Sequence, residues 1–419
     1  MSKNLYTVAI IGVGSRGGNA YGRKINALPE QFNIVALCDI KKERLDMFGP
    51  EFGVAEADRF LTEEEFFEKR RADLLLVTTQ DADHVRHCTK AFELGYDVLL
   101  EKPITDKIEE CYALLEAQKK YGCKALVCHV LRYAPAYLKA AEFIDEGKIG
   151  RLVAIEATEP VGYSHQAHSY VRGSWRNTDE STPMILAKCC HDLDLIQFYA
   201  KSKCKSVTSV GELTFFNSEN APEGSAKRCT ECKLVDECPY SAKRIYIERW
   251  HELGCPKDTW PTNVVAPAPV NEEKIMEAIK NGPYGRCVFH CDNNAVDHQL
   301  TQMTFENGVK ATLTMTAFAT GYGRRYTFFG TYGVIDLTDE SVTLREFGKE
   351  PLVISIASLL EGGHAHGGGD EGLISSLYSM LEGKAKSGTS LEASVESHLM
   401  GIAAEESRLN GGKLVYIHK

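Results

Sequence analysis

An apolar segment that runs directly into a glycine-rich turn constrains the fold of this chain more than any other feature. Residues 8–11 are Val-Ala-Ile-Ile, and Gly12-x-Gly14-x-x-Gly17 follows them. A helical stretch over residues 18–28 and a second apolar strand over residues 34–38 complete a βαβ pattern. In such a unit the first glycine permits a tight turn, the second lets a phosphate approach the backbone, and the third lets the helix pack on the strand. The pattern predicts an α/β fold with a doubly wound parallel sheet that binds a dinucleotide.

Asp39, at the end of the second strand, favours NAD over NADP. It lies 22 residues after Gly17, where a carboxylate accepts hydrogen bonds from a ribose 2′-hydroxyl and repels a 2′-phosphate. The free N–H groups at the start of the helix would hold the phosphates. The alternative is a βαβ unit that binds no nucleotide. The cofactor-binding residues predicted from this unit are Gly12, Gly14, Ser15, Arg16, Gly17 and Asp39.

Three more apolar strands are predicted over residues 72–78, 97–100 and 124–129, and they alternate with amphipathic helices over residues 83–94 and 108–121. This alternation predicts a parallel sheet covered on both faces, which binds ligands beyond the carboxyl ends of its strands. We expect the residues near those ends to contribute to the cofactor site, namely Thr78, Thr79, Gln80, His84, Glu101, Lys102 and His129.

Lys102 is the candidate with the clearest chemistry. Pro103 restricts it to an extended conformation, which directs its side chain away from any helix. Close to a nicotinamide ring, its ammonium could donate a hydrogen bond to the substrate oxygen and stabilise a developing alkoxide. The alternative is a surface ion pair between Lys102 and Glu101.

The pattern changes in the second part of the chain. Strand 151–159, helix 183–200 and hairpins over 296–347 predict an α+β domain with an open, mostly antiparallel sheet. Apolar residues alternate with polar ones over residues 309–317, after a Glu-Asn-Gly turn. We therefore predict a Rossmann domain over residues 1–130 and an α+β domain over residues 131–419, with a Cys-rich insertion at about 215–285.

Composition and charge exclude several classes of partner. The 419 residues include 48 basic and 58 acidic side chains, a formal net charge of −10, without a basic stripe. This argues against binding to nucleic acid or to an anionic membrane surface. No segment approaches the ~20 apolar residues that span a bilayer, and no leader precedes the first strand, so we expect a cytoplasmic protein. In that setting the 14 cysteines are expected to be thiols and not a disulfide scaffold.

Four of the cysteines have the spacing of a metal site. Cys229-x2-Cys232-x5-Cys238 is followed by Cys255 seventeen residues later. Four thiolates at these spacings could wrap one Zn²⁺ ion and stabilise an insertion too small for its own core. Free thiols and a [4Fe–4S] cluster are the alternatives. Since four protein ligands leave no open coordination position, any metal here would be structural.

A second chemical cluster lies in the predicted helix 183–200. Lys188 and His191 are three residues apart, so they share a face of a helix. A histidine accepts or donates a proton near neutral pH. The alternative is a histidine that packs as a structural group.

Several of these motifs together resemble the glucose–fructose oxidoreductase/inositol dehydrogenase/MocA family. They are the glycine fingerprint, Glu101-Lys102-Pro103, and a helix with His191 and Asp194 after a β-strand. Residues 131–135, 168–176 and 367–370 resemble one bacterial branch of that family. The resemblance covers nearly the whole chain, and it is weaker in the insertion and uninformative about the particular substrate.

The resemblance implies a nicotinamide domain joined to a sheet domain whose open face covers the active site. It implies that Lys102 is the catalytic lysine and His191 the proton-transfer histidine. Many relatives have an aspartate four residues before the histidine, where this chain has Ala187, so neighbouring Lys188 is the expected polar contact. The departure leaves open how a proton relay is completed. The family also implies a homo-oligomer that pairs through an exposed sheet face.

Aromatic and hydrogen-bonding residues in the second domain are the predicted substrate contacts. Aromatic faces suit the C–H surfaces of pyranose rings, and arginines suit hydroxyls or a carboxylate. The alternative for residues 162–176 is an interface loop, and His364 and His366 could instead bind a metal. The predicted substrate-binding residues are Arg132, Tyr133, Tyr163, His165, His168, Arg172, Trp175, Arg176, His191, His364 and His366.

The favoured function is an NAD-dependent oxidoreductase that transfers a hydride between nicotinamide and a ring hydroxyl or ketone of a sugar, glycoside or polyol. One alternative, which some relatives follow, is an NAD-dependent glycosidase that oxidises the sugar transiently, eliminates the substituent and returns the hydride. The other is a sugar or cofactor sensor without turnover.

Overall fold

The first part of the chain forms a six-stranded parallel sheet. The computed structural model describes residues 5–321, 323–360, 365–384 and 388–418. The strands are β1 (Tyr6–Ile11), β2 (Phe32–Cys38), β3 (Arg59–Phe60), β4 (Leu74–Val77), β5 (Asp97–Leu100) and β6 (Ala125–Val127). They are ordered β3-β2-β1-β4-β5-β6, so the strand order reverses between β1 and β4. Doubly wound sheets bind ligands at this switch point.

The helices of this part follow the strands, as the alternating pattern predicts. They are Arg23–Asn26, Lys42–Glu51, Glu63–Phe66, His84–Glu93 and Ile108–Tyr121, with a π-helical turn at Ser15–Gly22. Every residue of β4 is buried, which explains its unbroken apolar sequence. The α/β, doubly wound prediction is confirmed.

The second sheet has nine strands and is mostly antiparallel. They are β7 (Leu152–Pro160), β8 (Cys204–Glu212), β9 (His298–Phe305), β10 (Lys310–Thr316), β11 (Arg325–Gly330), β12 (Gly333–Leu337), β13 (Ser341–Glu346), β14 (Leu352–Ser355) and β15 (Val415–Tyr416). Their order is β14-β13-β12-β11-β7-β10-β9-β8-β15, with β7 and β10 parallel. In β10 the apolar residues are buried and the polar ones are not, so the two-residue alternation is confirmed.

Several longer helices accompany the second sheet. They are Pro135–Asp145, Met184–Ala187, Cys190–Ala200, Gly369–Leu381 and Leu391–Leu409, with a π-helical turn at Gln166–Arg172. Shorter turns are Glu56–Asp58, Asp81–Asp83, Val130–Tyr133, Tyr163–His165, Ser218–Asn220, Cys229–Glu231, Pro283–Gly285, Ile356–Leu359 and Ala365–Gly368. Among the described residues, no helix combines the length and apolarity needed to cross a bilayer.

The last two long helices pack on the first sheet, and the second of them, Leu391–Leu409, also packs on the second sheet through Met400, Ala403 and Ala404. Leu373 and Leu377 belong to the buried cluster on one face of the first sheet, and Leu391 and Leu399 belong to the cluster on the other. An apolar helix face must be buried somewhere, and here it completes the core of a distant domain. The domain boundary at residue 130 stays a prediction, and this packing joins the two parts of the chain.

The insertion lies between β8 and β9 and contains helical segments Lys243–Glu248, Arg249–Glu252, Thr262–Val265 and Glu272–Asn281. Phe216, Tyr246 and Ile275 belong to an apolar cluster that also contains Ala167, Val171 and Ala317 from outside the insertion. The insertion therefore packs into a core that it shares with neighbouring segments. That it is too small for a core of its own stays a prediction.

Candidate active site

The glycine-rich turn after β1 has the geometry that its sequence predicts. Gly12 has a φ of +87°, and a Cβ atom there would lie 2.5 Å from the Thr78 carbonyl oxygen. A Cβ atom on Gly17 would lie 2.2 Å from the Gly12 carbonyl oxygen. A Cβ atom on Gly14 would meet only the end of the Arg44 side chain, at 3.3 Å. Gly12 and Gly17 are thus required by the backbone itself, while Gly14 leaves an open approach to it.

Asp39 lies at the end of β2 and is held by two donors. Its carboxylate accepts hydrogen bonds from the Lys41 backbone N–H at 2.9 Å and from Arg44 Nη1 at 3.1 Å. The side chain of Asp39 is 3% exposed, whereas that of Arg44 is 41% exposed. The sequence did not indicate Arg44, which places a cation beside the expected ribose site.

Arg16 and Glu101 form a buried ion network behind the turn. Arg16 pairs with Glu101 and with Asp370 at 2.9 Å each, and the Tyr21 hydroxyl donates to Glu101 at 2.7 Å. Burial opposes ionisation of Glu101, but the charges of Arg16 and Lys102 outweigh it and lower the pKa of this carboxyl. The network joins β1, β5 and the helix Gly369–Leu381, so these two side chains hold the site together.

The remaining polar residues at the carboxyl ends of β4 and β5 bond mainly to one another. The Thr78 hydroxyl donates to the Gly12 carbonyl at 2.8 Å, and Thr79 Oγ1 lies 3.0 Å from His87 Nδ1. The His84 ring contacts the carbonyls of Pro103 and Thr79 at 2.7 and 3.1 Å. His84 is buried, so we assign it to positioning the Lys102 loop. Gln80 and Ser15 are exposed beside the turn.

Lys102 links the first domain to the segment that carries His191. Its Nζ donates to the Ala187 carbonyl at 3.1 Å. Its charge also lowers the pKa of three buried neighbours, after the larger effect of burial itself: His129, His165 and Lys188. The alternative, a surface ion pair with Glu101, is not what the side chain makes, because the Lys102 ammonium faces the second domain.

The predicted helix over residues 183–200 is broken at Lys188. Its two parts are Met184–Ala187 and Cys190–Ala200. The break leaves the Ala187 carbonyl without a helical donor, and Lys102 supplies one. The expectation that Lys188 and His191 share the face of one continuous helix is therefore wrong, and His191 lies in the first turn of the second part.

Lys188 enters a buried charge cluster on the second sheet. Its Nζ lies 3.5 Å from Glu159 Oε1, and Arg324 bonds both Glu159 and Asp192 at 2.5 and 2.8 Å. The Tyr326 hydroxyl also donates to Asp192, at 2.6 Å. Burial lowers the pKa of Lys188, and the Glu159 carboxylate opposes this shift. Sequence reasoning missed Glu159, Arg324 and Tyr326. The available signal was Glu159, a charged residue in the predicted strand 151–159.

The rings of His129, His191 and His398 lie against one another, one pair edge to face and the other tilted. The centroid of the His129 ring lies 5.8 Å from that of His191 and 5.7 Å from that of His398. His129 is 0% exposed, and within the described part of the chain neither of its nitrogens has a hydrogen-bond partner. Burial lowers its pKa, so it is neutral. His129 is predicted to bind the cofactor; the structure places it beneath the site, against His191.

Arg132 does not point to a substrate pocket. Its Nε and Nη2 donate to the two Asp194 oxygens at 2.7 and 2.9 Å, and its Nη1 donates to the Gly388 carbonyl at 3.0 Å. Tyr133 bonds to Thr389 Oγ1 at 2.8 Å. The prediction that these two residues bind substrate is corrected, because Arg132 holds the segment after β6 against the helix Cys190–Ala200 and Tyr133 bonds the segment that precedes the helix Leu391–Leu409.

The aromatic segment after β7 divides into two environments. The ring of His165 lies 5.0 Å from that of Trp260 in the insertion, and burial followed by the charge of Lys188 places its pKa well below the usual value. Tyr163 packs against Tyr240 with ring centroids 6.0 Å apart. The Trp175 indole N–H is buried and, among the described residues, has no acceptor. These three residues stay candidates for the substrate wall.

Other residues of this segment face the insertion. His168 stacks on Tyr284 with ring centroids 4.9 Å apart, and its Nδ1 lies 3.0 Å from the Tyr246 hydroxyl. Arg172 donates to backbone carbonyls, and Arg176 pairs with Asp292 at 2.9 Å. We correct their predicted role to holding the insertion in place. His364 lies outside the described residues, as does the side chain of His366.

The cysteine prediction is only partly matched by the structure. Cys229, Cys232 and Cys238 lie near one another, but Cys255 is exposed with its Sγ 3.4 Å from His251 Nδ1. In the part of the chain that the structure describes, no three His, Cys, Asp or Glu side chains surround a point at metal-ligand spacing. The ligand set with Cys255 is therefore wrong, because the chain carries that thiol away from the other three.

Comparisons with known proteins agree with this architecture. Residues 6–129 match the oxidoreductase family with an NAD-binding Rossmann fold, and residues 137–228 match the Gfo/Idh/MocA C-terminal domain. YteT of Bacillus subtilis, a protein named as an oxidoreductase, is 24% identical over 401 residues, which are 88% of each chain. The scyllo-inositol 2-dehydrogenase (NAD⁺) of the same organism is 25% identical over 207 residues, 49% of this chain and 57% of that protein.

Solved structures share the fold at lower identity. A levoglucosan dehydrogenase with NADH and levoglucosan bound has a TM-score of 0.70 at 16% identity, covering 99% of this chain and 100% of that one. The WlbA dehydrogenase of Chromobacterium violaceum, with NADH and UDP-GlcNAcA bound, has a TM-score of 0.69 at 13% identity, covering 99% and 97%. The family matches, the two sheets and the glycine turn agree, and the chain belongs to the Gfo/Idh/MocA family of oxidoreductases.

Proposed function

We propose that this protein is an NAD-dependent oxidoreductase that acts on a ring hydroxyl or ketone of a sugar, glycoside or polyol. The observation that carries the proposal is the position of Lys102. Its ammonium leaves the carboxyl edge of the first sheet and bonds the Ala187 carbonyl, at the helix break that precedes His191. A cation, a histidine and a dinucleotide turn at one edge are the parts that hydride transfer to or from an alcohol requires.

The residues around the turn fit a dinucleotide. The open approach at Gly14 and the free N–H groups from Ser15 onward would receive the pyrophosphate. Asp39 would accept hydrogen bonds from the ribose. When bound, NAD would supply the hydride acceptor or donor.

The protein's own groups would manage the substrate oxygen and its proton. Lys102 is a fixed cation that would stabilise negative charge developing on that oxygen. His191 would take or return the hydroxyl proton, and His129 against its ring would keep it oriented. Lys188 would replace the aspartate of many relatives, with Glu159 and Arg324 holding it in place.

Asp39 supports NAD over NADP. The cation of Arg44 beside it makes this preference weaker than it would be with the carboxylate alone. The two side chains are paired at 3.1 Å, so a 2′-phosphate would have to displace Asp39 to reach the guanidinium. The substrate class is supported by the relatives, since one solved structure is a levoglucosan dehydrogenase with levoglucosan bound and one relative is a scyllo-inositol 2-dehydrogenase. Tyr163, His165 and Trp175 would form an aromatic wall suited to a sugar face.

The test follows two products at once. Purified protein is incubated with NAD⁺ and a panel of sugars, polyols and aryl glycosides, while NADH absorbance and released aglycone are recorded together. We expect NADH from at least one sugar or polyol. Lys102→Ala and His191→Ala should each bind NAD as the wild type does and lose turnover; activity that survives both changes contradicts the assignment. NAD and sugar binding without any turnover would instead favour a sensor.

A glycosidase with transient oxidation is the second candidate, and Lys188 is the observation that favours it. A buried amine whose pKa is lowered can be neutral and remove a proton from carbon next to a transient ketone. Aglycone released without stoichiometric NADH would support the glycosidase and contradict the proposed dehydrogenase.

The other expectations concern assembly and location. Val153, Val210 and Leu300 are large apolar residues exposed on β7, β8 and β9. They lie on the sheet face through which we propose that the chain forms a homo-oligomer. Sedimentation measurements on wild type and Leu300→Glu test this, and a cytoplasmic location stays a prediction.

A further inference from the structure

Arg172 is a buried cation without a carboxylate partner. The residue is 1% exposed, and its guanidinium donates to the carbonyls of Arg286 and Tyr240 at 2.7 Å each. Its Nη1 has no partner, and no carboxylate of the described residues lies within ion-pair distance of it. A buried charge without a counter-charge costs several kcal/mol. A negative charge is therefore expected nearby, and the nearest candidates are sulfur atoms.

Cys229 is placed as an acceptor. Its Sγ lies 3.6 Å from Arg172 Nη2 and 3.3 Å from the Ala242 backbone nitrogen, both of which are donors. Metal-bound cysteines are commonly supported by such N–H contacts to the sulfur. Cys229 is buried, so a metal ion bound to it would be shielded from solvent.

The fold brings a cysteine from the far end of the insertion to the same place. Arg228 and Arg286 form an antiparallel bridge, and the Cys287 N–H donates to the Lys227 carbonyl at 2.9 Å. Cys287 and Cys238 both lie close enough to Cys229 and Cys232 for their charges to interact, so the four thiols form one group. Four cysteines brought together from the two ends of a segment are the donor set of a structural zinc site.

We propose that Cys229, Cys232, Cys238 and Cys287 bind one structural zinc ion, with Arg172 donating to the thiolate of Cys229. Binding releases the thiol protons still present to solvent, and the resulting net charge of −2 on the zinc–thiolate group is the counter-charge that Arg172 lacks. The four sulfurs do not surround one point in the structure, so binding requires rotation of the cysteine side chains. Cys287 takes the place that the sequence spacing suggested for Cys255.

The site would fix the insertion against the substrate segment. Arg172 is four residues from His168, which stacks on Tyr284 beside the Cys287 strand bridge. Trp260, also from the insertion, contacts both His165 and His168. Zinc would therefore stabilise the wall of the candidate pocket and would not contact the reacting atoms. The zinc site does not depend on the proposed reaction.

The test is the metal content of the full-length chain purified without chelator from zinc-supplemented cells. We expect about one zinc per chain in wild type and in the matched control Cys255→Ser, and less than a tenth of that in Cys287→Ser and Cys229→Ser. Zinc lost in Cys255→Ser but kept in Cys287→Ser would overturn the ligand set. Iron with acid-labile sulfide, or no metal in the wild type after reconstitution with zinc under reducing conditions, would overturn the proposal.

A second measurement uses only the wild-type chain, in case the cysteine variants do not fold. Alkylation of the native protein, read by peptide mass spectrometry, should modify Cys255 quickly and spare the four ligands. Chelator should then expose those four to alkylation at least tenfold faster. If chelator leaves their rates unchanged, the thiols hold no ion and the proposal fails.

Discussion

The ion pair between Arg132 and Asp194 gives the most direct test of how the segment after β6 is held against the helix Cys190–Ala200. Asp194 lies one helical turn after His191, and its carboxylate bonds Arg132 at 2.7 and 2.9 Å. The two side chains are 8% and 1% exposed. Asp194→Asn preserves the shape of the side chain and removes its charge, which leaves a buried guanidinium facing a neutral amide.

The loss of stability expected for Asp194→Asn is large, although the substitution replaces only one carboxylate oxygen by an amide nitrogen. Removing one partner of a buried pair costs about 3–5 kcal/mol. The lower end applies here, because Arg132 keeps the Gly388 carbonyl and the Phe198 ring, whose centroid is 4.5 Å from its guanidinium carbon. With the unfolding entropy expected for 419 residues, a loss of about 3 kcal/mol lowers Tm by roughly 3–4 °C.

The assay is thermal unfolding followed by circular dichroism and calorimetry, with Asp46→Asn as the matched control. Asp46 pairs with Lys42 on an exposed helix face, where both side chains are more than half exposed. Such a pair contributes about 0.3–0.5 kcal/mol, so its loss should move Tm by less than about 1 °C. If Asp194→Asn shifts Tm no more than Asp46→Asn does, the buried pair does not hold these two segments together.

Three further predictions concern the site and its surroundings. Lys102→Met should lower kcat by about 10²–10⁴-fold, while the NAD affinity measured by calorimetry stays unchanged. Lys188→Met should remove the limb of the pH profile of kcat that is set by a lysine of lowered pKa. If that limb persists, Lys188 does not have this role. Asp39→Ala should reduce kcat/KM for NAD about 10–100-fold and improve that for NADP, and adding Arg44→Ala should abolish the NADP gain. Burial lowers the pKa of His398 from 6.5 to about 3 in the folded protein. Between these two pH values the unfolded chain binds this proton and the folded protein does not, so the free energy of unfolding falls as the pH drops from 6.5 towards 3. His398→Gln should flatten that acid slope in urea titrations, and an unchanged slope would contradict it.

The sequence by itself determined the architecture of the cofactor half. Gly12 has a positive φ, and a Cβ atom on Gly17 would collide with the Gly12 carbonyl of the same turn, so local backbone geometry makes the motif readable without the fold. The buried runs of β1 and β4 and the alternation in β10 are likewise local consequences of burial on two faces or on one.

Tertiary structure decided which polar residues meet. Arg132 was expected to contact substrate, yet the fold places Asp194 within 3 Å of it. Cys287 lies 32 residues beyond Cys255 and still reaches Cys229, because β8 and β9 close the insertion into a loop. A buried charge selects its partner by position in space and not by spacing along the chain, and no period or motif encodes that choice.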